Sequence, residues 1–479
     1  MSLFMLYASV DKAQLYSGII SEKGIWGLWL LWASMISVAV IPLVFAPLWA
    51  KLNFLTDNQF ILFRFSGRGA KVLHQFRAVY VGGLVVAFIL SFQTIAFSRI
   101  LQVYYDISTQ NSILITGLLL SLFSLKNSFA NKFKTDVFHS IIYLLSLVIS
   151  FYFLYDNSGG LNQVITQIKI NSPNTLSILP PKGNTALWYS LFVYLGIQWW
   201  SSSMFDGGGP EMSRFTATGT RWGAIKVGLA PLLLELPIIV ILIIMSLLSF
   251  ASSGFVNNGE LTFVVSVFDS TPEAFSIIVL LGFFALFITS SESILNWGAS
   301  FLSVDFYKGY LAKDKSEKHY TRISFVSMLT LSLISMLIAL NIDSLELLIK
   351  IIFSISAGVA PVFVLRWFWM RINAWSQISA MFSSGIYTLA FFVFEYFNPN
   401  FFNDLSLQNH EWRIIVVTIL TTLTWLTVTF LTQKDDKQTV EQFLKILPKK
   451  SVIVKSFALA FLIGFLIILL LTAVLFLII

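Results

Sequence analysis

The sequence predicts an all-α polytopic membrane protein, and three observations carry that prediction. Of 479 residues, 57% are hydrophobic and only 11% charged, far from the ~45–50% apolar and ~25% charged content of soluble domains. Apolar runs near the roughly 20 residues that cross a bilayer as a helix recur along the whole chain. Basic residues collect in alternate loops between those runs, the bias that marks cytoplasmic loops. The net charge of +7 therefore reads as membrane topology, with lipid and not nucleic acid as the partner. The absence of Cys excludes disulfides, thiolate metal sites and cysteine nucleophiles.

In chain order the sequence opens with a short apolar stub, Met1 to Val10, stopped by Asp11 and Lys12. It is about half the length of a span and lacks the basic flank and cleavage site of a signal peptide. Twelve spans follow, at 25–48, 76–101, 111–125, 137–156, 184–205, 224–251, 272–302, 322–341, 344–369, 374–397, 411–432 and 453–479. If they alternate, the loops at 51–77, 126–134, 214–226, 308–322, 366–371 and 434–455 share one side and hold 24 of the 31 basic residues. That side is expected to face the cytoplasm, which puts the C-terminus outside and starts the stub near the bilayer midplane. A free ammonium is costly there, so residue 1 reads as an internal start with a half-helix missing before it. The alternative is a flat interfacial segment.

Several spans carry polar groups that cannot face lipid. In 272–302, at 100° per residue, Leu286, Thr289, Ser290, Glu292, Ser293, Asn296, Trp297 and Ser300 fall on one arc. Hydroxyl and carbonyl oxygens suit a sodium-like ion, whereas Ser and Thr alone would suit close helix packing. Asp136 reads either as an N-cap at the start of 137–156 or as a cavity carboxylate. Glu235, between Pro231 and Pro237, is either protonated and hydrogen-bonded or faces a ligand path. Lys350 reads as a snorkelling side chain, and Arg366 to Arg371 with Trp367 and Trp369 as an interface belt. Span 184–205 ends in Gln198, Trp199, Trp200 and Ser201 to Ser203, then runs into Asp206, Gly207, Gly208 and Gly209. Such an interruption points to a midplane site in transporters. His74, His139, His319 and His410 read as loop or span-end residues without metal-ligand spacing, and no catalytic constellation or cofactor motif is present.

Thr289-Ser290, Leu295-Asn296 and Asp305-Phe306-Tyr307-Lys308 resemble the hydroxyl pair, Leu-Asn and Asp-x-Tyr signature of the sodium:solute symporter family. Leu55-Thr56-Asp57, Arg64-Phe65-Ser66-Gly67 and Thr135-Asp136 with His139 in place of Gln resemble further family motifs. Gln198-Trp199-Trp200, Ser213-Arg214 and the stretch Leu365 to Ser376 are similar to an uncharacterised bacterial branch. The resemblance implies a five-plus-five inverted-repeat transporter fold with extra C-terminal helices and an incomplete first broken helix, Ser2 to Gly18 being its second half. It divides one transport domain into 1–156, the remainder of the first repeat, 184–369, the second, and 374–479, peripheral helices. It also implies a sodium site of Met5, Ala8 and Leu286 carbonyls with Thr289 and Ser290 hydroxyls. A second sodium site maps to Asp136, Glu292 and Ser293, and solute contacts to Tyr7, Ser9, Lys12, Gln198 and Trp199. The expected function is sodium-coupled import of a small organic solute, with Na⁺ as coupling ion, no cofactor, no enzymatic activity and location in the cytoplasmic membrane. Trp29 to Trp32 stand where sugar carriers have a carboxylate, which argues against a sugar. A sensor or degenerate carrier is the alternative.

Overall fold

A computed structural model describes residues 1–124, 129–201, 205–254, 259–342, 344–398 and 409–479; Lys126, Ser202 and Ser203 of the sequence readings lie outside these. The described residues are helical throughout, without a strand. Ten helices among them are long and apolar enough to cross a membrane. Two of the twelve expected spans differ: 111–125 is a short helix and 184–205 is broken.

The chain begins with α1 (Ser2–Tyr7) and α2 (Lys12–Lys23). Next come α3 (Ile25–Trp49), the short α4 (Gln59–Arg64), α5 (Gly67–Tyr105), α6 (Thr109–Ser124), α7 (Phe129–Asn157) and α8 (Leu161–Asn171). The second half holds α9 (Thr185–Gly196), α10 (Met212–Thr216), α11 (Arg221–Ser252), α12 (Gly259–Ser270), α13 (Glu273–Leu311), α14 (Glu317–Ala339) and α15 (Leu345–Phe368). The chain ends with α16 (Ala374–Phe397), α17 (Asn409–Leu431), α18 (Lys437–Leu444) and α19 (Lys450–Ile478).

The stub is not one half-helix. Its interruption falls at Ala8–Asp11, so six helical residues precede the break and α2 follows it. α7 begins at Phe129, two turns before Asp136, so Asp136 is an interior helix residue and not an N-cap. α7 lies along α13, where the Ser146 hydroxyl donates to the Val279 carbonyl at 3.2 Å.

Two ends of the bundle differ in character. At the cation-rich end, a buried ion pair ties the α3–α5 connection to α5, and buried hydrogen bonds tie it to α13 and α15. Asp57 holds Arg77 at 2.5 Å and accepts from Trp297 Nε1 at 3.0 Å. Thr56 donates to Asp305 at 3.0 Å, and Arg64 donates to the Arg366 carbonyl at 2.7 Å. Asp435, in the loop before α18, accepts from the Ser66 amide at 2.8 Å, and burial holds its carboxyl above the usual aspartate value. Trp367 and Arg366 are fully buried, donating to Asp206 at 2.8 Å and 2.6 Å; they fasten the core, which overturns the belt reading there. At the opposite end Glu346 binds Lys23 and Lys350, each at 2.5 Å, so Lys350 is paired and does not snorkel. Glu260 binds Arg99 at 2.6 Å and accepts from the Leu345 and Glu346 amides at 3.2 Å.

Candidate functional site

The break at Ala8–Asp11 contains neither Gly nor Pro; what replaces helical hydrogen bonding is tertiary. Asp11 Oδ1 accepts from Gln93 Nε2 of α5 at 2.6 Å, and Gln93 Oε1 accepts from Ser290 Oγ of α13 at 2.8 Å. A carboxylate only accepts, so this chain has one direction. The Gln93 amide must turn its nitrogen to Asp11 and its oxygen to Ser290. The Ser290 proton is then drawn from the Leu286 carbonyl, which lies 2.7 Å from the same hydroxyl oxygen. Leu286 O and Ser290 Oγ remain as electron pairs for a hard cation.

Ala8 and Leu286 line one small cavity together with Ser9 and Lys12, and Met5 is fully buried in α1, which packs on α13. Thr289 Oγ1 lies 2.7 Å from His139 Nδ1 of α7. His139 and His74 are thus interior helix residues and not loop residues; His74 of α5 meets Tyr310 at 3.1 Å.

Asp136 is 1% exposed, and its Oδ2 has no hydrogen-bond partner among the described residues. Ser293, one turn beyond Thr289, accepts from Arg214 Nη2 at 3.3 Å, while Glu292 is half-buried beside it. The same guanidinium donates to the Pro210 carbonyl at 2.6 Å and to Ser2 Oγ at 3.1 Å. Ser293, Asn296, Trp297 and Ser300 face a cavity of about 480 Å³ that Arg214, Thr56 and Glu317 also line. The Ser293 to Ser300 part of the polar arc thus faces a cavity that reaches the cation-rich end, while Leu286 lines the small cavity and Thr289 and Ser290 bond to His139 and Gln93.

The five residues expected at the solute are split between places. Tyr7 lies against Glu211. Ser9 and Lys12 face the small cavity, and Lys12 is ion-paired with Glu235. Gln198 donates to the Leu30 carbonyl and faces His410 Nε2 at 3.3 Å. Trp199 meets Phe461 of α19 edge to face, with ring centres 4.8 Å apart. Asp11, Gln93 and Arg214 were not singled out as site residues from the sequence. The Asp11–Lys12 stop after ten apolar residues was the one available signal.

A family model, the sodium:solute symporter family, matches residues 1–384. No curated protein matches by sequence. Among solved structures, a substrate-bound, outward-open Na⁺-coupled sialic acid symporter is similar at 14% identity, with 91% of this chain and 90% of that one covered and a TM-score of 0.67. Mhp1, a nucleobase-cation-symport-1 family transporter in a closed conformation, is similar at 14% identity over 92% and 95% of the chains, with a TM-score of 0.46. The described helices form the five-plus-five inverted-repeat transporter fold with peripheral C-terminal helices. The chain is a multi-pass membrane protein and belongs to the sodium:solute symporter family.

Proposed function

We propose that the chain is a sodium-coupled symporter that imports a small organic solute across the cytoplasmic membrane. The observation that supports this most is the directed chain Ser290–Gln93–Asp11. It leaves carbonyl and hydroxyl oxygens of α13 turned toward the break of the first helix. Sodium sits there on Met5, Ala8 and Leu286 carbonyls and Thr289 and Ser290 hydroxyls. A second sodium position lies at Asp136, Glu292 and Ser293, where Arg214 must withdraw to admit a cation. The repeats are 1–156 and 184–369, with Tyr7, Ser9 and Lys12 at the first break meeting the solute and Gln198 and Trp199 fixing the second.

In this reading the cavity of about 480 Å³ that reaches the cation-rich end makes the carrier inward-open, with Glu346 and Glu260 tying the opposite end. Sodium bound between the break and α13 ties the two together and favours the outward-open state by differential affinity. Each charge carried inward at 100 mV supplies ~2.3 kcal/mol.

The test is a thermal melt of detergent-purified protein in sodium against choline at equal ionic strength. Sodium at about 100 times its dissociation constant stabilises by ~2.7 kcal/mol, and Ser290→Ala is expected to lose that gain. An unchanged sodium response in Ser290→Ala overturns the site. Sodium and solute binding without uptake in proteoliposomes assigns the chain to sensing instead.

A further inference from the structure

We propose that the solute is a zwitterion, an amino acid with an apolar side chain, held by Lys12 and Glu235. This rests on the transport reading above and names the solute class. Lys12 is the first residue of α2, the positive end of the helix dipole, where a cation is disfavoured. It is nevertheless held there by Glu235 of α11. The pair differs from the fully buried Asp206–Arg366 pair in that its lysine keeps 22% of its side chain exposed, and an ion pair in such a place gains little for the fold that apolar side chains would not also give.

The pair is incompletely satisfied. Glu235 is 4% exposed, and its second oxygen, Oε2, has no hydrogen-bond partner among the described residues. Residues 235, 238 and 242 share one face of a helix; Ile238 and Leu242 line the small cavity with Ala8, Ser9 and Lys12. Its volume is about 20 Å³, room for about one water, and of the pair only Lys12 is on its wall, so a solute enters by moving Lys12 away from Glu235. Asp11, the adjacent carboxylate, is held by Gln93, and its charge acts on Lys12 from a greater distance than that of Glu235.

Charge counting then selects the solute. A neutral molecule gains nothing from parting the pair. An anion takes Lys12 and leaves Glu235 a buried uncompensated charge; a cation takes Glu235 and leaves Lys12 with only the more distant Asp11. A zwitterion gives its carboxylate to Lys12 and its ammonium to Glu235, whose free oxygen already awaits a donor. Of the other walls, Tyr143, Leu147, Met245, Phe263 and Phe283 suit an apolar side chain, with Ser146 and Ser150 beside them.

The experiment is a thermal melt of the purified full chain with each of the twenty protein amino acids, in sodium and in choline. The best binder is then compared with its amino alcohol, its deaminated acid and glucose. We expect saturable stabilisation by at least one apolar amino acid, with about 10- to 100-fold weaker apparent affinity for the alcohol and the acid. The double variant Lys12→Gln/Glu235→Gln orphans no charge; it should keep the sodium response and lose amino-acid affinity by the same factor. Stabilisation by no amino acid, equal binding of the alcohol, acid or glucose, or a double variant that binds like the parent overturns the assignment. The comparison on the parent chain stands even if the double variant does not fold. An amino-acid response equal in sodium and choline leaves the zwitterion assignment intact and overturns sodium coupling instead.

Discussion

The hydroxyl pair in α13 made Ser290 a candidate sodium ligand in the sequence, but what aims its hydroxyl was not legible there. Gln93 and Asp11 stand 82 residues apart, and each alone looks like an ordinary polar residue near a helix end or in a small-residue face. Only the fold sets the carboxylate, amide and hydroxyl in line. Replacing Gln93 by Leu frees the Ser290 proton to fall back on the Leu286 carbonyl and leaves Asp11 without its donor. A hydrogen bond to a charged group is worth ~1.5–3 kcal/mol, so the sodium concentration at half-maximal stabilisation should rise about tenfold or more. A sodium titration by thermal shift reads this directly, and an unmoved midpoint removes Gln93 from the site. Burial sorts the charged residues in the same way. Asp206 and Arg366 are both fully buried, so Asp206→Asn leaves a guanidinium without its partner and should cost ~3–5 kcal/mol. Lys308 and Glu317 are 43% and 84% exposed, and Glu317→Ala should cost no more than ~1 kcal/mol. Unfolding of both variants in mixed micelles tests the contrast.

At the scale of elements the two broken helices were unequally readable. The second announces itself through three consecutive glycines after Asp206, and Gly207 and Gly209 take φ of +71° and +72°, where a side chain is strained. The first break has no such punctuation, because Asp11 and its partner on α5 end the helix; Ser2 to Gly18 therefore read as one segment. Asp136 was misplaced for a related reason: the hydrophobic run starts at Val137, but α7 begins at Phe129 through polar residues that hydropathy discards. The span boundaries that hydropathy does mark, from α14 to α17, agree within five residues, while α13 runs on to Leu311, nine residues past its expected end. Gly207 and Gly219 separate backbone strain from packing. Both have positive φ, yet a Cβ at Gly207 would lie 2.8 Å from Ile41 Cγ2, while at Gly219 nothing lies within 4 Å. Ala at Gly219 should cost the left-handed conformation alone, ~1–2 kcal/mol, and Ala at Gly207 about 1–3 kcal/mol more. Equal melting of the two variants would mean that α3 yields to the second break without resistance.

At the scale of the whole molecule, access is decided by which end is pinned. Glu260 joins α5, α12 and α15 at the closed end through Arg99 and the first amides of α15. All three contacts must part if that end is to open, whereas the walls of the cavity beside Ser300 are joined by hydrogen bonds from Arg214 to Ser2 and Ser293 and from Trp297 to Asp57. Glu260→Gln keeps the shape and removes the charge. It weakens interactions made only in the inward-open state and shifts the population toward the outward-open one. A loss of one or two kcal/mol corresponds to about 5- to 30-fold in the ratio of the two states. The chain has no Cys, so Ser300→Cys supplies a single reporter in the cavity at the cation-rich end. In inverted vesicles a membrane-impermeant maleimide should label it readily. Sodium should slow that labelling, and Glu260→Gln should slow it without sodium. If Glu260→Gln labels as fast as its parent while sodium still protects, the ion pairs at the closed end hold the fold together and do not set the balance between states.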